Sequence, residues 1–315
     1  MSTVGAAGPR TVTTDDGVEL YVRVEVAHAG PGAPVLLAIN SLGCDLGLWE
    51  QQLAPWRQSH HVLRYDQRGH GRSAAPDGPY GLDRLGRDAL AVLDAVGADR
   101  VDVCGLSLGG LVAQWLCLEA PGRIDRAVFA DTAARIGTRE AWHERAAVVR
   151  TEGMAAVTEP VLDRFFSPGA RATNDPAVVR TRAGLETMSP EGYASSCEAL
   201  ADADLRPRTA AIGQRCLVIV GTEDVATPVA DARRLVDDLP HASYAELDGA
   251  GHLSNLERPE AFARLVRTFL GADRGALRAA GHPPSPAPRP APSGASSWPT
   301  GPCSSTDWHR STSSR

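Results

Sequence analysis

The chain contains no lysine, so all 32 of its Lys and Arg positions are arginine. Such usage is the mark of GC-rich coding and carries no functional reading. No block of like charge is present, and the formal net charge is only -6. That argues against a nucleic-acid footprint or a polybasic membrane patch. No run approaches the roughly 18 apolar residues that cross a bilayer, and the first twenty residues lack the apolar centre of a secretory signal. The six cysteines form no C-x-x-C pair, no zinc-finger spacing and no dense framework, so reduced thiols and no metal are expected. No internal repeat is evident. These absences leave a globular cytoplasmic protein that acts on a small molecule, with neither nucleic acid nor membrane as partner.

At 315 residues there is length for one large α/β core or two modest domains. Two apolar stretches, Thr11 to Thr14 and Val18 to Val26, flank Asp15-Asp16-Gly17 and read as a hairpin. Short apolar runs follow at Val35 to Ile39, Val62 to Tyr65, Val101 to Cys104, Ala127 to Ala130 and Cys216 to Val220. Helical periodicity separates them, as where Leu85, Ala89, Val92, Leu93 and Val96 share a face. Apolar strands spaced by amphipathic helices predict an α/β fold, with a mainly parallel sheet flanked by helices. From about Gly137 to Arg208 the strand-like runs stop, and segments are broken at Pro160, Pro168, Pro176 and Pro190. An inserted helical cap is expected there. The expected division is a core of residues 1–136 and 209–272, a cap of 137–208, and a Pro, Ser, Ala and Gly-rich tail of 273–315 that lacks the apolar surface to order itself.

Gly105-Leu106-Ser107-Leu108-Gly109-Gly110 follows one apolar run and precedes the helix-like stretch Leu111 to Glu119. This strand-turn-helix setting makes G-x-S-x-G informative, and it resembles the nucleophile elbow of the α/β-hydrolases. There the serine takes a strained positive φ, and glycines on either side remove clashes with its Cβ. Ser107 is the candidate nucleophile. A serine hydroxyl needs a base, and the base an orienting acid; the expected chain order is Ser, acid, His. Among nine histidines, His252 lies in the late loop Gly249-Ala250-Gly251-His252-Leu253 and is the candidate base. His70, in Asp66-Gln67-Arg68-Gly69-His70-Gly71-Arg72-Ser73, precedes the serine and reads as a structural turn near the site. Asp224 sits past the carboxyl end of Cys216 to Val220 and is the candidate acid. Glu223 and Asp248 are weaker, and Asp131, ending Ala127 to Ala130, is the competitor. Two backbone N–H groups must meet the developing oxyanion; the Leu108 amide and, from Asn40-Ser41-Leu42-Gly43, the Leu42 amide are expected to supply them.

The Asn40 to Leu46 loop, Tyr65 to Ser73, Gly105 to Gly110 with Gln114-Trp115-Leu116, and Thr132-Ala133-Ala134-Arg135-Ile136-Gly137 together resemble the 3-oxoadipate enol-lactonases. So do Gly192-Tyr193, Ala201 to Arg206, Gly221 to Asp224 and Gly251 to Asn255, so the likeness spans about residues 15 to 270. It implies cofactor-free hydrolysis of a small carboxylate-bearing lactone. A guanidinium is then expected near the substrate carboxylate, and Arg135 and Trp142 are its candidates as cation and apolar wall. Asp131 departs from the asparagine expected in this family. Some members carry a fused decarboxylase domain, which the 45 residues after Leu270 are not expected to form. The alternatives are another ester or lactone hydrolase, a cofactor-free perhydrolase, and a non-hydrolytic ligand receptor. Serine at position 107 disfavours a haloalkane dehalogenase, which needs aspartate.

Overall fold

The computed structural model describes residues 7–271; the proline-rich tail of 273–315 and Cys303 lie outside them. Alternation of apolar and polar side chains opens the sheet. β1 (Gly8–Thr13) and β2 (Glu19–Glu25) pair antiparallel, with Thr13 opposite Glu19. Leu20, Val22 and Val24 turn inward, and Gly17 takes the positive φ of 82° that the connecting turn requires.

The next strands are buried at every residue but Asp125, which is why they read as largely apolar runs. They are β3 (Val35–Ile39), β4 (His61–Tyr65), β5 (Val101–Leu106) and β6 (Ile124–Ala130), joined by α1 (Glu50–Trp56), α2 (Leu82–Ala95) and α3 (Leu108–Glu119). After the insert come β7 (Arg215–Gly221), α9 (Val229–Asp238), β8 (Ala242–Leu247), α10 (Ser254–Glu257) and α11 (Pro259–Gly271). The eight strands lie in the order β1-β2-β4-β3-β5-β6-β7-β8, parallel from β4 onward. The chain leaves β3 for β4 on one side and returns to β5 on the other. A crevice therefore opens beyond the carboxyl ends of β3 and β5, where α/β sheets receive ligands.

Between β6 and β7 lie α4 (Arg139–Glu152), α5 (Ala155–Phe165), α6 (Pro168–Ala172), α7 (Pro176–Thr187) and α8 (Pro190–Asp202). Ser167, Asp175 and Ser189 cap α6, α7 and α8 with side-chain oxygens, and each of these helices has proline in its first turn. Pro160 corrects the sequence reading, because it lies inside α5 and breaks nothing. The face of Val157, Val161, Leu162 and Phe165 is buried, and that packing outweighs the one backbone hydrogen bond proline forgoes. These inserted helices meet the loop after β4 where Gly192 of α8 approaches Gly69. A Cβ on Gly69 would lie 2.6 Å from the Gly192 Cα, so both positions need glycine.

Candidate active site

Ser107 ends the turn between β5 and α3 with φ 57° and ψ -115°. A Cβ at Gly105 would collide with the Gly109 carbonyl, and one at Gly109 with the Ile39 carbonyl. Only glycine lets the elbow close this tightly, and closure strains Ser107 into the left-handed region. The turn is pinned by Ser107 N–H donating to the Ala130 carbonyl at 3.0 Å and by the Thr132 hydroxyl donating to the Ser107 carbonyl at 2.8 Å.

Asp224 and His252 meet at the carboxyl edge of β7 and β8. His252 Nδ1 lies 2.8 Å from Asp224 Oδ2. With that carboxylate as acceptor, Nδ1 carries the hydrogen and Nε2 is left as the basic nitrogen. Asp224 is buried, and Oδ1 accepts the N–H groups of Ala226 at 2.7 Å and Thr227 at 2.9 Å. The Thr227 hydroxyl donates to Oδ2 at 2.8 Å. Burial alone would raise this carboxyl, but the neighbouring His252 charge and these donors overcome it and hold the group below its ordinary value. Thr227 was missed in the sequence, although Asp224-Val225-Ala226-Thr227 is a local pattern of a carboxylate bonding the backbone two and three residues on.

The loop carrying His252 is fastened to α5 and Ser167 of the inserted segment. Leu253 N–H donates to the Phe165 carbonyl at 2.9 Å, the Phe165 ring lies 5.5 Å from the imidazole, and Glu257 accepts from both Gly251 N–H and Ser167. Among the described residues neither the Ser107 hydroxyl nor His252 Nε2 has a hydrogen-bond partner, each other included, so the structure joins His252 to Asp224 but makes no direct bond from His252 to Ser107.

The loop after β3 is held from three sides. Asn40 Nδ2 donates to the Tyr65 carbonyl, Trp49 Nε1 to Asn40 Oδ1, and Gln67 Nε2 to the Asn40 carbonyl, all within 2.9 Å. Gly43 N–H donates to His70 Nε2 at 3.0 Å, while His70 Nδ1 lies 3.0 Å from the Arg68 carbonyl. Burial lowers His70 to about 4, so the ring is neutral with its hydrogen on Nδ1. The N–H groups of Leu42 and Leu108 have no backbone acceptor among the described residues.

The residues expected to meet a substrate carboxylate have partners of their own. Arg135 is one-third exposed and pairs with Asp204 at 3.6 Å. Trp142 is buried, donates its indole N–H to the Ile136 carbonyl at 2.6 Å, and carries the Arg145 guanidinium 4.8 Å above its ring. Arg164 of α5 is half-buried with no ion pair or hydrogen bond among the described residues. Burial, then the Arg145 charge, lowers it, while Asp224 and Tyr193 pull the other way. Tyr193 is fully buried beside Gly43, and the Arg145 guanidinium is the polar group that faces its hydroxyl. Neither Arg145 nor Arg164 has a carboxylate partner among the described residues; Arg164 feels the charges of Arg145 and Asp224, and Arg145 faces Tyr193. Among the described residues no group of three His, Cys, Asp or Glu side chains could hold a metal, and no helix is long and apolar enough to cross a membrane.

Residues 27–259 match the family described as alpha/beta hydrolase fold. The chain is 41% identical over 237 residues to 3-oxoadipate enol-lactonase 2 of Acinetobacter baylyi, which covers 75% of this chain and 88% of that protein. It is 35% identical over 260 residues to 3-oxoadipate enol-lactonase 1 of the same organism, covering 82% and 96%. The crystal structure of the enol-lactonase from Burkholderia xenovorans LB400 superposes with a TM-score of 0.80 at 40% identity, covering 83% of this chain and all of that one.

Proposed function

The chain belongs to the alpha/beta hydrolase fold family, and we propose that within it the protein hydrolyses 3-oxoadipate enol-lactone to 3-oxoadipate, a step of the β-ketoadipate pathway. The similarity to two enol-lactonases along most of the chain supports this reading. The observation that carries it to the substrate is the site's own charge: beside a Ser, His and Asp constellation, Arg145 and Arg164 stand without carboxylates. A half-buried cation without a carboxylate suits an anionic ligand, and the enol-lactone bears a carboxylate.

Ser107 Oγ attacks the ring carbonyl as His252 Nε2 takes its proton, and the Leu42 and Leu108 amides hold the oxyanion. The ring C–O bond breaks, His252 returns the proton to the departing enol oxygen, and the enol relaxes to a ketone. That relaxation makes ring opening effectively irreversible. Water activated by His252 then releases the acyl group from Ser107. Asp224 stabilises the imidazolium at both stages. No metal or organic cofactor enters the scheme. Arg145, Arg164 and Tyr193 replace Arg135 as the groups that meet the carboxylate, with Trp142 supporting Arg145 from beneath. Residues 137–208 act as a cap over a core of 1–136 and 209–272. Five thiols kept reduced and buried support a cytoplasmic setting.

The test is loss of ultraviolet absorbance of freshly generated enol-lactone, with wild type and Ser107→Ala. Rapid loss with the wild type alone is expected. Turnover of a simple aryl ester without any of the lactone would replace this reading with a general ester hydrolase.

A further inference from the structure

One buried carboxyl takes no part in the reaction as derived. Asp131 follows β6 with a positive φ of 44° and no solvent exposure. Its own N–H donates to the Ile219 carbonyl of β7 at 2.8 Å. Asp131 Oδ1 accepts the Gly221 N–H at 2.9 Å, and the Ser254 hydroxyl lies 2.5 Å from Oδ2. Gly221 ends β7 three residues before Asp224, and Ser254 comes two residues after His252. A single side chain therefore spans the two segments that present the acid and the base. It makes no hydrogen bond to His252 among the described residues, so it is not a rival acid in this arrangement.

The groups around Asp131 leave no room for a second negative charge. Asp224 faces it from the loop after β7, already bound to His252 and Thr227. Cys104 of β5 faces it as a buried thiol that stays protonated, and no arginine pairs with it among the described residues. Two carboxylates cannot both ionise cheaply in such a space. Asp224 has the imidazole and three N–H or O–H donors at its own oxygens, so Asp131 is the one to keep its proton.

We propose that Asp131 is a neutral positioning residue, whose carboxyl bridges the Gly221 amide and the Ser254 hydroxyl and thereby holds Asp224 and His252 in register. The inference rests on the Ser107, His252 and Asp224 reading given above. Burial, then the Asp224 charge, pushes the Asp131 carboxyl well above its ordinary value against the hydrogen bonds from Ser254 and Gly221. Asparagine has the shape and polarity of this neutral acid: Oδ1 can accept from Gly221 and Nδ2 can donate to Ser254. It also tolerates the left-handed backbone. A carboxylic acid in the same place brings a cost that depends on pH, since the unfolded chain releases the proton that the folded chain must retain.

Three measurements on the full chain test this, and two do not depend on the reaction. The difference infrared spectrum of wild type against Asp131→Asn at neutral pH should show a protonated-carboxyl stretch belonging to the wild type. Its absence overturns the neutral state. The melting temperature of Asp131→Asn relative to wild type should rise as pH climbs from about 4, the unfolded value of aspartate, toward neutrality. A difference that stays flat or falls overturns it as well. Asp131→Ala should lower kcat by about tenfold to a hundredfold, the size expected for a displaced catalytic group, with KM little changed. Asp131→Asn should recover most of that loss, and an equal loss in both variants removes the positioning role. If the protein proved inactive on the lactone, kcat on an aryl ester would serve, and the infrared and melting results would stand by themselves.

Discussion

The Gly43 amide donates its hydrogen to His70 Nε2 at 3.0 Å, which couples the Asp66 to Ser73 turn to the loop that presents the Leu42 amide. The sequence reads His70 as a structural turn residue beside the site, and its contact gives that role a definite object. His70→Ala leaves the Gly43 N–H without its acceptor and frees the loop, so kcat on the lactone should fall by about tenfold or more, as part of an oxyanion donor is lost, while KM changes less.

The same ring should shape stability at mild acidity. Folding lowers His70 from its ordinary 6.5 to about 4, so the folded chain resists a proton that the unfolded chain accepts. The contribution is fully present above about 6.5 and is lost as pH falls through about 4, a total of roughly 3 kcal/mol. Urea unfolding of wild type should weaken more across that window than unfolding of His70→Gln. Parallel curves would show that His70 takes up its proton normally.

The acid can be identified by substitution. Asp224→Asn should reduce kcat by about 10⁴, the scale seen when the orienting acid of a Ser-His-Asp set is neutralised, with the fold retained. A large loss from Asp131→Asn together with near-normal Asp224→Asn kinetics would reverse the assignment.

The unpaired guanidiniums make a prediction about selectivity. A charged hydrogen bond is worth about 1.5–3 kcal/mol, so Arg164→Gln and Arg145→Gln should each lower kcat/KM for the carboxylate-bearing lactone by about tenfold to a hundredfold. Hydrolysis of a neutral aryl ester should change little. Arg135→Gln, whose side chain pairs with Asp204 at the surface, should leave both substrates nearly unaffected.

Cap seating depends on the contact of two glycine backbones. Gly192→Ala would drive a Cβ into the Gly69 carbonyl and Cα. Overpacking of this kind costs about 1–3 kcal/mol, so the melting temperature should fall, and KM should rise if the cap lifts. Gly184→Ala, also in the cap but with open space around it, is the control.

What the sequence determined by itself is local. The elbow follows from glycines at positions that a Cβ would block within one strand-turn-helix, and the buried strands follow from unbroken apolar runs. These features depend on neighbours a few residues away, so spacing is enough to reveal them. Strand ends shifted by a residue or a few, as where β6 begins at Ile124 rather than Ala127, because polar residues at a strand's mouth carry no hydrophobic signal. The tertiary structure alone decided which charges remain unpaired. Nothing in the spacing of the chain tells which arginine finds a carboxylate; only tertiary packing brings Asp204 to Arg135 and leaves Arg145 facing Tyr193 and Arg164 within the field of Asp224. It likewise separated Asp224 from Asp131. Both end adjacent parallel strands, but one faces the imidazole and the other faces Ser254, a difference of angstroms that no spacing in the sequence records.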